Sequence, residues 1–168
     1  MSKVLIIRGY CGTGKSTVAK TIAKKNNFAF LEYDNFLWGM NKAKKPSKFE
    51  YEITFKNFSM VLKNYLKTKK NILIEGPLVS RTNEDPFEIE KIISIIKKEK
   101  YECIIVQLRA TENVCLERMN KRAKIVPKWE RDMFIKKHID SIQKNEIIID
   151  TSNLSLKQTQ NKIEKLLK

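Results

Sequence analysis

Two hydrophobic periods alternate along the chain. Short continuous apolar runs occur at Val4-Leu5-Ile6-Ile7, Phe28-Ala29-Phe30-Leu31, Ile72-Leu73-Ile74, Cys103-Ile104-Ile105-Val106-Gln107-Leu108 and Ile147-Ile148-Ile149. Each has the length and β-rich content of a buried strand. Between them lie segments with helical spacing. Thr17 to Ala23 reads as a helix, and from Tyr51 the residues Phe55, Phe58, Val61, Leu62, Tyr65 and Leu66 mark one apolar face. Asp85, Pro86 and Glu88 have the pattern of a helix start: an N-cap, a proline at the first helical position and a capping box. Thr111 predicts the cap of a helix running to about Lys121, and Ser155 with Gln158 starts a last one. The second strand is expected to end at Glu32-Tyr33-Asp34. The Pro-containing stretch from Trp38 to Lys48 reads as a loop.

Strands alternating with helices predict an α/β domain, a parallel sheet with helices on both faces. In such sheets ligands bind beyond the carboxyl ends of the strands. The residues standing there are Arg8 and Gly9, Asp34, Glu75 with Arg81, Arg109, and Asp150.

Composition adds bounds. A length of 168 residues fits one domain over 1–168. Cys11, Cys103 and Cys115 are an odd number in no ligand spacing, which points to a reducing compartment rather than disulfides or zinc. A strand begins at once, with no signal peptide, and no apolar run approaches a membrane span. The expected location is cytoplasmic, with no membrane partner. The net charge of +15 is compatible with nucleic acid, but only six of the 34 basic residues are arginine. Many lysines stand at helix ends, where they suit the helix dipole and solubility. Nucleic acid is therefore a possible partner but not the favoured one.

Gly9-Tyr10-Cys11-Gly12-Thr13-Gly14-Lys15-Ser16 fits G-x-x-x-x-G-K-[ST], the phosphate-binding P-loop, between a predicted strand and a predicted helix. Its glycines let backbone N–H groups close around phosphate oxygens, and the positive helix end faces the anion. The expected nucleotide-binding set is Gly9, Gly12, Thr13, Gly14, Lys15, Ser16, Thr17 and, further along the chain, Arg118. Lys15 reaches the β/γ-phosphates and the Ser16 hydroxyl ligates Mg²⁺. Glu75, ending a hydrophobic strand, is the candidate second carboxylate for the metal; the alternative is a solvated strand-end glutamate. Asp34 is the candidate general base, able to take a proton from an acceptor hydroxyl. It is also placed to cap a short helix through Trp38, and Glu32 is its rival as base. Arg118 and Arg122 lie four apart on one helix face. With Lys121, Lys124, Lys128 and Arg131 they form a basic segment at 118–131, expected to be a lid over ATP whose arginines stabilise transferring charge. Arg81 is a candidate contact for an anionic acceptor, and the acceptor region is expected within 35–66. His138 reads as structural, and Trp129, Met133 and Phe134 as packing.

The P-loop, Asp34, and Leu108-Arg109-Ala110-Thr111 with Glu117-Arg118 and Lys121-Arg122 together resemble the shikimate- and nucleoside-kinase type of small P-loop kinases. The stretch Lys121 to Pro127 is similar to the kinase domain of polynucleotide kinases, with chloramphenicol phosphotransferases and zeta-toxin-like kinases as relatives. The resemblance implies a three-layer P-loop fold, a five-stranded parallel sheet of order 2-3-1-4-5, and a short lid. It implies Asp34 as base and Arg122 as lid arginine. It also implies that the loop at Ile149-Asp150-Thr151-Ser152 lies against adenine. The expected activity is ATP- and Mg²⁺-dependent phosphoryl transfer to a hydroxyl group of a small molecule, by a monomer or homodimer. A 5′-hydroxyl polynucleotide kinase is the alternative, and an ATPase or nucleotide switch without an acceptor the second. Glu75-Gly76-Pro77 departs from the aspartate-led strand ending of polynucleotide kinases and is similar to the acceptor loop of nucleoside monophosphate kinases.

Overall fold

The computed structural model describes residues 2–38, 46–78, 88–121 and 145–168. Strand Lys3–Gly9 (β1) sits at the centre of the sheet. Its Val4, Leu5, Ile6 and Ile7 are all fully buried, because helices cover both of its faces. Alternation sends Val4 and Ile6 to one face and Leu5 and Ile7 to the other. Burying each such side chain stabilises the fold by roughly 1.5–3 kcal/mol, so a charge at Ile6 would be the single change hardest to absorb.

Lys15–Lys25 (α1) follows the P-loop, and Ala29–Glu32 (β2) leads into a short helix, Tyr33–Trp38 (α2). Lys48–Lys67 (α3), Ile72–Gly76 (β3), Glu88–Lys98 (α4), Glu102–Arg109 (β4) and Glu112–Asn120 (α5) come next. Ile147–Asp150 (β5) and Leu156–Glu164 (α6) complete the order, with a 3₁₀ turn at Lys165–Leu167. The sheet has five strands in the order β2-β3-β1-β4-β5, and every pair is parallel. One core packs α3 and α4, through Phe58, Leu62, Leu66, Ile89, Ile92 and Ile96, against Ile6, Leu31 and Ile74. The other packs Val18, Ala19 and Ile22 of α1 and Ile163 of α6 against Leu5, Ile7, Leu73 and Val106. The predicted order and two-sided cover are therefore both present.

Two element boundaries depart notably from the sequence reading. β2 ends at Glu32, and Tyr33 already belongs to a helix, so Asp34 lies in the first turn of α2 rather than on a strand end. α3 begins at Lys48, not Tyr51, because Ser47 and Glu50 form a reciprocal capping box. Thr111 is the N-cap of α5 by position but its side chain makes no cap hydrogen bond. The capping box at Ser155 and Gln158 is present. Asp85, Pro86, the candidate acceptor contact Arg81, and residues 122–144 with Arg122, Arg131 and His138 lie outside the described residues. Among the described residues no helix is long and apolar enough to cross a membrane.

Candidate active site

The P-loop joins β1 to α1 with two glycines in the left-handed region. Gly12 has φ 86° and Gly14 φ 88°. A side chain at Gly12 would also meet the Cys115 carbonyl at 2.6 Å, because α5 packs directly on the loop. Gly14 is the N-cap of α1, without a side-chain hydrogen bond and without an acid in the first turn. The first N–H groups of α1 thus keep no internal carboxylate, the condition for an anion site at a helix N-terminus. Within the loop the Thr13 amide and hydroxyl both donate to the Tyr10 carbonyl, at 3.3 and 2.8 Å.

Glu75 meets this loop from β3. It is 1% exposed, and its Oε1 accepts from Ser16 Oγ at 3.0 Å while Lys15 Nζ stands 3.7 Å away. Burial pushes the Glu75 carboxyl above the ordinary range. Lys15 opposes the shift, Asp34 adds to it, the Ser16 hydrogen bond opposes it and Glu32 adds a little. Its second oxygen, Oε2, is buried with no hydrogen-bond partner. The second carboxylate of the sequence reading is therefore beside Ser16 and Lys15, not solvated at a strand end.

Glu32 and Asp34 approach from β2 and α2. Glu32 is in register with Glu75 across the sheet. Its Oε2 is taken by Lys20 at 3.1 Å and by the Asn35 amide at 3.3 Å. Asp34 Oδ1 is buried with no hydrogen-bond partner. Of the two rivals, Asp34 is the one with a buried oxygen that lacks a hydrogen-bond partner. The orphan Glu75 oxygen, with the Ser16 hydroxyl, fits a hard cation that keeps most of its own water and phosphate ligands, as Mg²⁺ does, and leaves the Asp34 oxygen free of that role. Among the described residues no group of three or more His, Cys, Asp or Glu forms a protein-only metal cage.

On the other side of the P-loop a pocket of about 450 Å³ opens between Gly12-Thr13-Gly14, Thr17, Arg118, Thr151, Leu154 and α6. That volume suits a nucleotide-sized ligand. Arg118 crosses its wall. Its Nη1 donates to Thr151 Oγ1 at 3.0 Å and to the Gly12 carbonyl at 3.4 Å, and its Nη2 to the Thr151 carbonyl at 2.7 Å. The Thr151 hydroxyl in turn reaches the Arg109 carbonyl at 2.9 Å or the Thr13 carbonyl at 3.2 Å. Arg118 therefore stands on α5 and ties the P-loop to the loop after β5. Of the expected lid, residues 118–120 end α5 and Lys121 is its C-cap; the remainder is outside the described residues.

Sequence reading brings Lys15, Ser16, Thr17, Glu75 and Asp34 to one end of the sheet, as the structure does. It missed the buried contacts of Arg8, whose partner is 138 residues distant. Only the conjunction of an arginine inside an apolar strand and a glutamate before another strand could have signalled it.

A protein-family profile described as AAA domain matches residues 5–133. The chain is 27% identical over 173 residues to a shikimate kinase of Thermodesulfovibrio yellowstonii, covering 97% of this chain and 94% of that one. An unliganded sugar kinase from Janibacter sp. has a similar fold, with TM-score 0.74, 14% identity, and coverage of 99% and 95%. A gluconokinase from Sinorhizobium meliloti gives TM-score 0.70 and 16% identity, over 95% of this chain and 87% of that one. With the P-loop in place and the profile spanning most of the chain, the protein belongs to the AAA domain family of P-loop proteins.

Proposed function

We propose that the protein is an ATP-dependent kinase that moves the γ-phosphate of ATP to a hydroxyl group of a small-molecule acceptor. The observation that carries this reading is the unpartnered Asp34 oxygen beside the Glu75–Ser16–Lys15 group. A bare ATPase or switch needs the P-loop but has no acceptor proton to take. In this reading Lys15 offsets charge on the β/γ-phosphates, and the α1 N-terminus orients them. Mg²⁺, held through Ser16 and Glu75, neutralises phosphate charge when bound. Asp34 accepts the hydroxyl proton at Oδ1 as the new P–O bond forms and the bond from the γ-phosphorus to the β,γ-bridging oxygen breaks, releasing ADP. Arg118 helps hold the nucleotide, Arg122 acts on the transferring group, and Arg81 contacts an anionic part of the acceptor.

The named relatives act on shikimate and gluconate, both hydroxyl-bearing carboxylic acids. Such acids therefore head the acceptor candidates. The 5′-hydroxyl polynucleotide reading is favoured by one observation, the net charge of +15. A screen with γ-labelled ATP and Mg²⁺ tests both readings. Its acceptors are shikimate, gluconate and other sugar acids, nucleosides, amphenicols and 5′-hydroxyl oligonucleotides. The reading expects label in a small molecule, lost in Lys15→Ala. Label in oligonucleotides alone supports the other reading, and release of inorganic phosphate without any labelled acceptor contradicts both.

A further inference from the structure

Arg8 is the last residue of β1 before the P-loop, and it is fully buried. Alternation places it on the face of Val4 and Ile6, away from α1. Its Nε donates to Glu146 Oε1 and its Nη2 to Glu146 Oε2 at 2.7 Å, a forked pair in which neither side chain touches solvent. Glu146 immediately precedes β5, so the pair spans from β1 past β4 to the sheet edge. The third donor, Nη1, goes the other way, to the Leu78 carbonyl at 3.3 Å.

Leu78 is an unusual residue to find at that end. It is fully buried and has φ 42°, in the left-handed region that a bulky side chain disfavours. Such a conformation persists only where its surroundings over-determine it. Pro77 before it restricts the turn, and Gly76 lies in register with Arg8. The turn also abuts α2: a side chain at Gly76 would meet Tyr33 Cβ at 2.8 Å and Leu78 Cγ at 3.5 Å. Tyr33 is fully buried, its ring 4.9 Å from that of Phe58. Its neighbour in sequence is Asp34.

We infer that Arg8 and Glu146 are positioning residues: the buried fork holds the Leu78 turn in its strained form, and that turn is the floor on which α2 sets Asp34. The Arg8 side chain reaches the acceptor face of the sheet and not the nucleotide pocket. The pair thus sets the geometry at Asp34 and leaves the phosphate cradle alone. A plain ion pair would account for the fork, but not for the third bond aimed at a strained carbonyl. The role for Asp34 rests on the kinase reading. The conformational claim does not, so the test uses no acceptor.

The test compares Arg8→Lys and the double variant Arg8→Met/Glu146→Met with the wild type. Removing both charges of the fork together avoids leaving either partner as an isolated buried ion opposite the other, and the Tm of the double variant is measured to show that it folds. Lysine keeps the charge opposite Glu146 but lacks the fork needed to bond Leu78 as well. Hydrogen exchange at Gly76, at Leu78 and over residues 33–36 is then measured. We expect it to be at least tenfold faster in both variants. The affinity for a fluorescent ATP analogue with Mg²⁺ should change less than threefold. A folded variant with wild-type exchange at these amides overturns the inference. So does equal weakening of the ATP analogue and of the turn. If neither variant folds, the pair is a folding element alone and the inference is also lost.

Discussion

Glu75 carries opposite demands in one side chain. Its burial favours the protonated form, while Lys15 and the Ser16 hydroxyl favour the ionised one, and burial wins. The folded state without nucleotide therefore binds this proton more tightly than the unfolded chain. Its contribution to stability is full below the unfolded value of about 4.3 and is lost as pH rises through the higher folded value. Relative to Glu75→Gln, the wild-type chain should lose Tm as pH is raised from about 4 towards neutrality. Calorimetry showing a pH-independent Tm gap between the two would place Glu75 in a far more solvated setting. At this scale the P-loop was legible because its signal is local and each residue type in it has one physical job. The choice between Asp34 and Glu32 was not legible. The contacts that bear on it, from Lys20 and Asn35 to Glu32 Oε2, leave no mark in the strand pattern.

The elements make two further predictions. α5 holds the pocket beside the P-loop through Arg118, whose three hydrogen bonds join Gly12 and Thr151. A hydrogen bond to a charged group contributes about 1.5–3 kcal/mol, less where water reaches it. Arg118→Ala should therefore lower Tm and, by loosening the pocket wall, weaken binding of a fluorescent ATP analogue about tenfold in titration. An unchanged dissociation constant would make the network a feature of the nucleotide-free protein only. α3 starts at a capping box, so Ser47→Ala should lower stability by about 1 kcal/mol in denaturant titration. A loss of only a few tenths would mean that water replaces the cap. The helical period of α3 was plain in the sequence, but its first turn was hidden in a lysine-rich stretch that resembles a loop. The short helix α2 was hidden for another reason. Phe28 to Leu31 has strong β character, and nothing local marks the switch to helix at Tyr33. Tertiary packing of Tyr33 against Phe58 decides it.

For the whole molecule, alternating periods carried the architecture. Buried strands and amphipathic helices in this order leave few ways to cover a parallel sheet, and the observed strand order is one of them. The long-range polar contacts were not readable. Arg8 and Glu146 become partners only after β1, β4 and β5 are assembled, and a single sequence holds no record of that. Net charge is also a whole-molecule property. If its +15 reflects solvated lysine faces, single-stranded oligonucleotides should bind weakly. Tight binding that falls with salt, with a log K slope of roughly −0.7 per phosphate neutralised, together with a 5′-phosphorylated product, would instead make nucleic acid the acceptor.

The central claim is that Asp34 takes a proton from an acceptor hydroxyl. Its most direct test is phosphoryl transfer from γ-labelled ATP by Asp34→Asn, using the acceptor that the wild type labels. The account predicts kcat lower by roughly 10²–10⁴, as for loss of a general base. It also predicts ATP affinity within tenfold of wild type and little change in Tm, since Asp34 Oδ1 has no hydrogen bond to lose. An Asp34→Asn protein that transfers phosphate at the wild-type rate would contradict it.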